Sequence, residues 1–199
     1  MTLENGFYDV PLGKVATIET DLEMHAKIDP PDVAAPDGWQ LNKIEQPDLE
    51  WYRGLIRLVG QDYLWWSRLA KSDEALAAEI HNPDVVIYAL QNGDQDGGIL
   101  ELDFRDPNKC EIMFFGVAPQ LIGTRAARHM MSHAIKTGWS RPVKMLYLHT
   151  CTLDNPKALS FYRRSGFVPM RQRVEIADDP RIAQILPPDA APQIPRFDG

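Results

Sequence analysis

The stretch from Lys109 to Gly138, KCEIMFFGVAPQLIGTRAARHMMSHAIKTG, constrains this chain more than any other. An apolar strand, a glycine, a short turn, a second glycine and an amphipathic helix follow one another directly. Glu111 to Val117 is rich in strand formers (Ile112, Phe114, Phe115, Val117), and Gly116 marks a bulge or a close backbone approach. Pro119 stops the strand. From Gly123 the spacing becomes helical. Ala127, Met130, Met131 and Ala134 share one face, Arg128, Ser132 and Lys136 another, and Thr137-Gly138 closes the helix.

The start of that helix carries Arg125, Arg128 and His129, with no acid between Gly116 and Gly138. Unpaired N–H groups and the positive dipole end make a helix start favour acids. Bases there point to an anionic guest, usually a phosphate, or to a solvated basic face. Local sequence leaves both readings open.

The chain has 199 residues, 44% hydrophobic and 25% charged, which fits an ordinary globular fold with a sizeable core. A net charge of −7 argues against a nucleic-acid partner; it suits solubility or attraction of a cationic amine. The N-terminus, MTLENGFYDV, lacks the basic region and apolar core of a signal peptide, and no apolar run is long enough to span a bilayer. A cytoplasmic location without membrane contact is therefore expected. Cys110 and Cys151 have neither metal-ligand spacing nor a disulfide framework, so no metal is expected and both read as packed thiols.

Taken in order, Val15 to Met24 reads as a strand and the segment Ile28 to Gly38, with Pro30, Pro31 and Pro36, as a surface connection. Leu41 to Glu45 is a short strand. Asp48 caps a helix running to about Val59, and Ser72 starts a second one ending near His81. Val85 to Leu90 and Gly98 to Phe104, joined through Gln91–Gly97, make a meander with the central strand. Val143 to Thr150 is a strand, Asn155-Pro156 opens a helix ending before Gly166, and Phe167 to Ile176 is a last strand. Asp178 to Gly199 is a proline-rich tail with at most a turn at Arg181 to Leu186. The extra strand and the tail together offer a surface for a homodimer.

Two segments at the right separation, VAPQLIGTRAARHMM and NPKALSFYRRSGF, resemble the Gcn5-related N-acetyltransferase (GNAT) superfamily. The resemblance covers roughly Leu41 to Ile176. It implies an α/β (α+β) fold: a mixed, mostly antiparallel sheet of six to seven strands splayed at the central strand, with helices on both faces. It divides the chain into an N-terminal extension (1–40), an acetyltransferase domain (41–177) and the tail (178–199). It also implies acetyl-CoA as cofactor, with the diphosphate over a turn reading Arg/Gln-x-x-Gly-x-Gly/Ala. Ala127 fits that turn and Gly123 matches a glycine common inside it, whereas Ile122 and Arg125 depart from the pattern. The implied cofactor contacts are Phe115, Gly116, Val117, Ile122, Gly123, Thr124, Arg125, Ala126, Ala127, Asn155 and Tyr162.

The implied reaction is direct transfer of acetyl to a primary amine of a small molecule or peptide. A lysine-like ammonium, with a pKa of about 10.4, is free amine in roughly one part in a few thousand at pH 7, so a base is valuable. Glu111 matches the catalytic glutamate of the histone acetyltransferase branch (Glu-Ile-x-Phe); Glu101 and Asp103 on the preceding strand are rivals. Asn155-Pro-x-Ala158-x-x-x-Tyr162 resembles the family's Asn-x-x-Ala-x-x-x-Tyr signature, which makes Tyr162 the acid at the departing sulfur. The Val117 N–H is expected to meet the carbonyl oxygen. Tyr63, Trp65 and Trp66 fall where the family walls its acceptor site, with Glu101 as a further substrate contact; the same rings also suit helix packing. The alternative is a non-catalytic acyl-CoA-binding or regulatory protein of the same fold.

Overall fold

The computed structural model describes residues 4–198; the outermost residues of the N-terminal extension and of the tail, 1–3 and 199, lie outside them. Seven strands and four helices follow in the order β1 (Lys14–Met24), β2 (Gln40–Ile44), α1 (Leu49–Gly60), α2 (Asp73–Ile80), β3 (Val85–Asn92), β4 (Gln95–Asp103), β5 (Lys109–Val117), α3 (Ala126–Gly138), β6 (Met145–Cys151), α4 (Ala158–Arg164) and β7 (Val168–Asp178). They form one sheet, ordered β2-β3-β4-β5-β6-β1-β7. Among the described residues only β5 and β6 run parallel; every other neighbouring pair is antiparallel.

Caps fix the helix starts as the sequence predicts. Asp48 accepts from Trp51 N at 2.9 Å and Ser72 from Ala75 N at 3.3 Å, each satisfying a donor left over in a first turn. The apolar faces of α1 and α2 pack Tyr52, Leu55, Ile56 and Leu76 onto Ile87 and Ile99. On the other face α3 lays Met130, Met131, Ala134 and Ile135 over Leu100, Leu102 and Leu146, with Tyr162 and Phe167 completing this core.

Several boundaries shift for local reasons. The β3–β4 hairpin is tighter than Gln91–Gly97, because Asn92 already pairs with Gln95 and Gly93 takes φ +58° in the turn. Gly97 becomes the irregularity instead, and a side chain there would run into the Trp39 ring. Helix α3 begins at Ala126, where Thr124 Oγ1 accepts its amide at 3.1 Å. Asn155 shapes the turn before α4: its Oδ1 accepts from Lys157 N at 3.0 Å, and the helix proper starts at Ala158.

The placement of β1 is not evident from its sequence. The N-terminal strand lies inside the sheet, paired with β7 over Lys14–Glu23 and with β6 over Glu19–Met24, and it is β7 that forms the sheet edge. A boundary at residue 40 therefore cuts through one continuous sheet. The strand is held by a charged hub. Asp21, nearly fully buried, accepts from Tyr147 Oη at 2.8 Å, from Arg171 Nε at 2.8 Å and from an Arg173 terminal nitrogen at 2.6 Å. Burial pushes the Asp21 carboxyl up, but these three donors outweigh it and hold it below the usual aspartate value.

A depressed native pKa contributes stability above the unfolded aspartate value of about 3.9 and loses it as pH falls through the native value. Asp21→Asn is expected to lower the melting temperature at pH 7 by about 5–10 °C, since charged hydrogen bonds contribute about 1.5–3 kcal/mol. The difference should begin to shrink as pH falls below about 4 and close only below the depressed native pKa of Asp21, which melting curves from pH 2 to 8 check.

Candidate active site

The site begins where two parallel strands stop pairing. β5 and β6 share three rungs, Lys109–Met145, Cys110–Leu146 and Glu111–Tyr147, and then part. Opposite Glu101, β5 carries an extra residue: Ile112 pairs with Leu102, Phe114 with Glu101, and Met113 bulges between them. The bulge reverses the alternation of side chains. Ile112 and Phe115 pack toward α3, whereas Phe114 meets the α1 core and Gly116 faces Val59 and Trp65. Gly116 is thus the close approach that its sequence suggests, and the bulge lies three residues earlier.

Beyond the last rung a slot of about 290 Å³ opens. Ala118 N donates to Gly97 O of β4 at 2.9 Å. Strand amides alternate in direction, so the N–H groups of Val117 and Phe115 turn away from β4, toward the side that β6 has vacated. These two unspent donors line the opening.

One end of the slot is basic and rich in backbone. Ile122, Gly123, Thr124, Ala127 and Arg128 line it, and Lys157 and Arg164 add two further cations to the slot lining. Gly123 has φ +84° and open space where a side chain would project, a conformation that favours glycine and leaves room for a guest over the amides. The middle is aromatic: Phe115 stacks on Phe161 at 5.8 Å, and Tyr162 meets Phe115 edge-on at 6.0 Å. The far end is closed by Val59, Tyr63 and Trp65. Two hydrogen bonds cross it, Trp65 Nε1 donating to Asp154 Oδ1 at 3.0 Å and Asn155 Nδ2 to Tyr63 Oη at 3.1 Å.

Tyr162 lines the slot from a buried position. Burial first, and the Asp154 carboxylate second, push its phenol far above its ordinary value, so it keeps its proton throughout the physiological range. Neither cysteine lines the slot. Burial pushes the Cys110 thiol up to about 12 and also raises that of Cys151, which leaves both protonated and inert.

Other expected site residues lie elsewhere. Arg125 leaves the slot for the N-terminal connection, donating from Nε to Ala35 O at 3.1 Å and pairing with Asp37 at 2.6 Å. Ala126 is sealed in the core. Trp66 packs against a cluster formed by the C-terminal tail, which is the packing reading of that ring. Glu101 is wholly buried and off the slot lining, taking one hydrogen bond from the Tyr52 hydroxyl and another from Arg68 at 2.5 Å, so that both oxygens are engaged. Glu111 stands at the last β5–β6 rung, off the slot lining, with Lys109 Nζ at 2.9 Å. Asp103 is held by Arg105. The sequence reading omitted Asp154, Lys157 and Arg164 as site residues. Asp154 and Lys157 flank the Asn155 motif, and Arg164 ends the same helix, so their proximity to that motif was the available signal.

The acetyltransferase (GNAT) family model matches residues 43–167, well over half of the chain. The chain belongs to the GNAT acetyltransferase family. Solved structures with this fold include a functionally unknown conserved protein from Staphylococcus epidermidis (13% identity, TM-score 0.59, covering 84% of this chain and 63% of that one). A GCN5-related N-acetyltransferase from Sphaerobacter thermophilus is 13% identical with TM-score 0.57, covering 92% and 54%. An aminoglycoside acetyltransferase from an uncultured soil metagenomic sample, solved with trehalose, is 13% identical with TM-score 0.54, covering 65% and 88%. This GNAT chain thus spans under two thirds of the first two structures' length. No curated protein sequence matches it. Among the described residues no helix is long and apolar enough to cross a membrane.

Adding a methyl at Gly116 would place a carbon 2.5 Å from Val59 Cγ1 and 3.1 Å from the Trp65 ring. Gly116→Ala is expected to cost about 1–3 kcal/mol through overpacking. The Gly116→Ala/Val59→Ala pair should cost less than the sum of its single changes, a coupling that denaturant titration of the four proteins measures.

Proposed function

We propose that this protein is an N-acetyltransferase that passes the acetyl group of acetyl-CoA directly to a primary amine while both are bound. The observation that carries the reading is the meeting, in one slot, of two outward-turned β5 amides and a buried, proton-holding tyrosine.

The slot fits the cofactor by the chemistry of its ends. Arg128, Lys157 and Arg164 suit a diphosphate, with the free space over Gly123 to admit it, and the narrow aromatic middle suits an uncharged pantetheine arm. Arg125 is spent on Asp37, so the charge that the family places in this turn comes from Arg128 and from α4 instead. When bound, acetyl-CoA supplies an activated acetyl thioester.

Each protein group then has one task. The Val117 and Phe115 amides stabilise negative charge growing on a carbonyl oxygen. Tyr162 delivers its proton to the departing sulfur; a thiol near 8.5 is a fair leaving group, so this acid contributes about a hundredfold at most. Asn155 holds Tyr63 across the slot, and Trp65 with Tyr63 presents an aromatic surface to an apolar or cationic acceptor. Glu111 keeps the role of proton acceptor by its match to the family pattern. From its place at the last rung it works through water on the face opposite α3, beside Tyr147 and the Asp21 hub. The inert thiols favour direct transfer over an acyl-enzyme.

Acetyl-CoA should raise the melting temperature, and a thiol-release screen over small amines, aminoglycosides and peptides should show turnover. Tyr162→Phe should keep acetyl-CoA affinity within about twofold while turnover falls by about a hundredfold. Binding with no thiol release across a broad panel would make the protein an acyl-CoA-binding module instead.

A further inference from the structure

The far wall of the slot depends on a segment distant in sequence. Tyr63 and Trp65, which both line the slot, flank Leu64, and Leu64 takes φ +56°, a left-handed conformation unusual for a branched residue. That backbone turn lets the two neighbours face the slot while Leu64 points away from it. The Leu64 side chain is buried, with Leu186, Ala190 and Ala191 of the C-terminal tail as its packing partners. Gln193 Nε2 adds a hydrogen bond to Asp62 O, at 2.6 Å, just before the turn.

The tail itself is pinned by one buried arginine. Arg181 forms a two-point pair with Asp179, and its guanidinium also donates to the carbonyls of Ala190, Ala191, Ile194 and Pro195. Nothing in its composition marks this proline-rich stretch as part of the site, yet it fills the space behind Leu64.

We infer that the C-terminal tail is a positioning element for the acyl end of the slot: by seizing Leu64 it fixes Trp65 against Gly116 and so limits the acyl chain that the slot accepts. This rests on the acyl-CoA reading of the slot. Arg128 and the open space over Gly123 put the diphosphate at the α3 end, and so the acyl group at the end closed by Val59 and Trp65. Trp65 is held by Asp154 on one side and by the anchored Leu64 on the other, so that end is fixed in place. Leu64 and Arg181 touch no substrate; they act through Trp65.

The test compares binding of acetyl-CoA and butyryl-CoA by calorimetry in the full chain. The wild type should prefer acetyl-CoA. Leu64→Asn adopts the left-handed turn readily but offers no apolar anchor. It should keep acetyl-CoA affinity within about twofold and raise the relative affinity for butyryl-CoA, two methylenes longer, by at least about tenfold, the lower end of what accommodating one methylene brings. Leu64→Met should retain the wild-type preference, and Trp65→Ala should show the relaxed preference directly. Arg181→Met should reproduce the Leu64→Asn shift; if it does not fold, Leu64→Asn decides. A folded Leu64→Asn protein with an unmoved chain-length preference would overturn this inference alone. A wild type that binds neither thioester would remove the cofactor reading and this inference with it.

Discussion

The parting of β5 from β6 after the Glu111–Tyr147 rung is the constraint on which the rest of the molecule depends. Parallel neighbours in the middle of a sheet normally stay paired along their length, because an unpaired buried amide costs free energy comparable to a lost hydrogen bond. Here β4 pairs with one edge of β5 from Glu111 to Val117, interrupted at the Met113 bulge, while the other edge is released over Ile112 to Val117. The Met113 bulge turns Phe115 to the face where α4 lies, and there its ring meets those of Phe161 and Tyr162 in the slot lining. The slot is thus a consequence of how the sheet is packed: apart from the outer edges of β2 and β7, this is where the sheet leaves a strand edge open.

A sheet split in its middle needs support at its far side, and the N-terminal strand provides it. β1 lies between β6 and β7 and ties them to each other through Asp21, Tyr147, Arg171 and Arg173. The connection that follows β1 runs along α3, where Ser132 Oγ donates to Pro31 O, His129 Nδ1 to Val33 O and Arg125 Nε to Ala35 O. Three side chains of one helix face thus satisfy alternate carbonyls of a segment too rich in proline to join a sheet. This explains the basic start of α3 in part without a ligand: Arg125 and His129 serve the connection, and Arg128 remains for the slot.

Much of this was legible in the sequence because it is local. The strand–glycine–turn–helix pattern, the Asp48 and Ser72 caps and the Asn155-to-Tyr162 spacing are each fixed by neighbouring residues, and the family model spans the same region. What was not legible depends on contacts between distant segments. Alternation marked Glu101 as a strand carboxylate, but only the arrival of Tyr52 and Arg68 shows that it is sealed. The three aromatic residues after α1 look alike in sequence; the tail takes Trp66 and leaves Tyr63 and Trp65 to the slot. Nothing in VATIETDLEM says that it pairs on both edges, and nothing in the prolines of the tail says that Arg181 gathers it into a buried knot.

The most direct test of the account is amide hydrogen exchange of the full chain with and without saturating CoA. The parted-strand slot predicts slowed exchange at Phe115 and Val117 and over Gly123 to Ala127, with the amides of β2 and β3 unchanged. Unaltered exchange at Phe115 and Val117 in a sample that demonstrably binds CoA would contradict it.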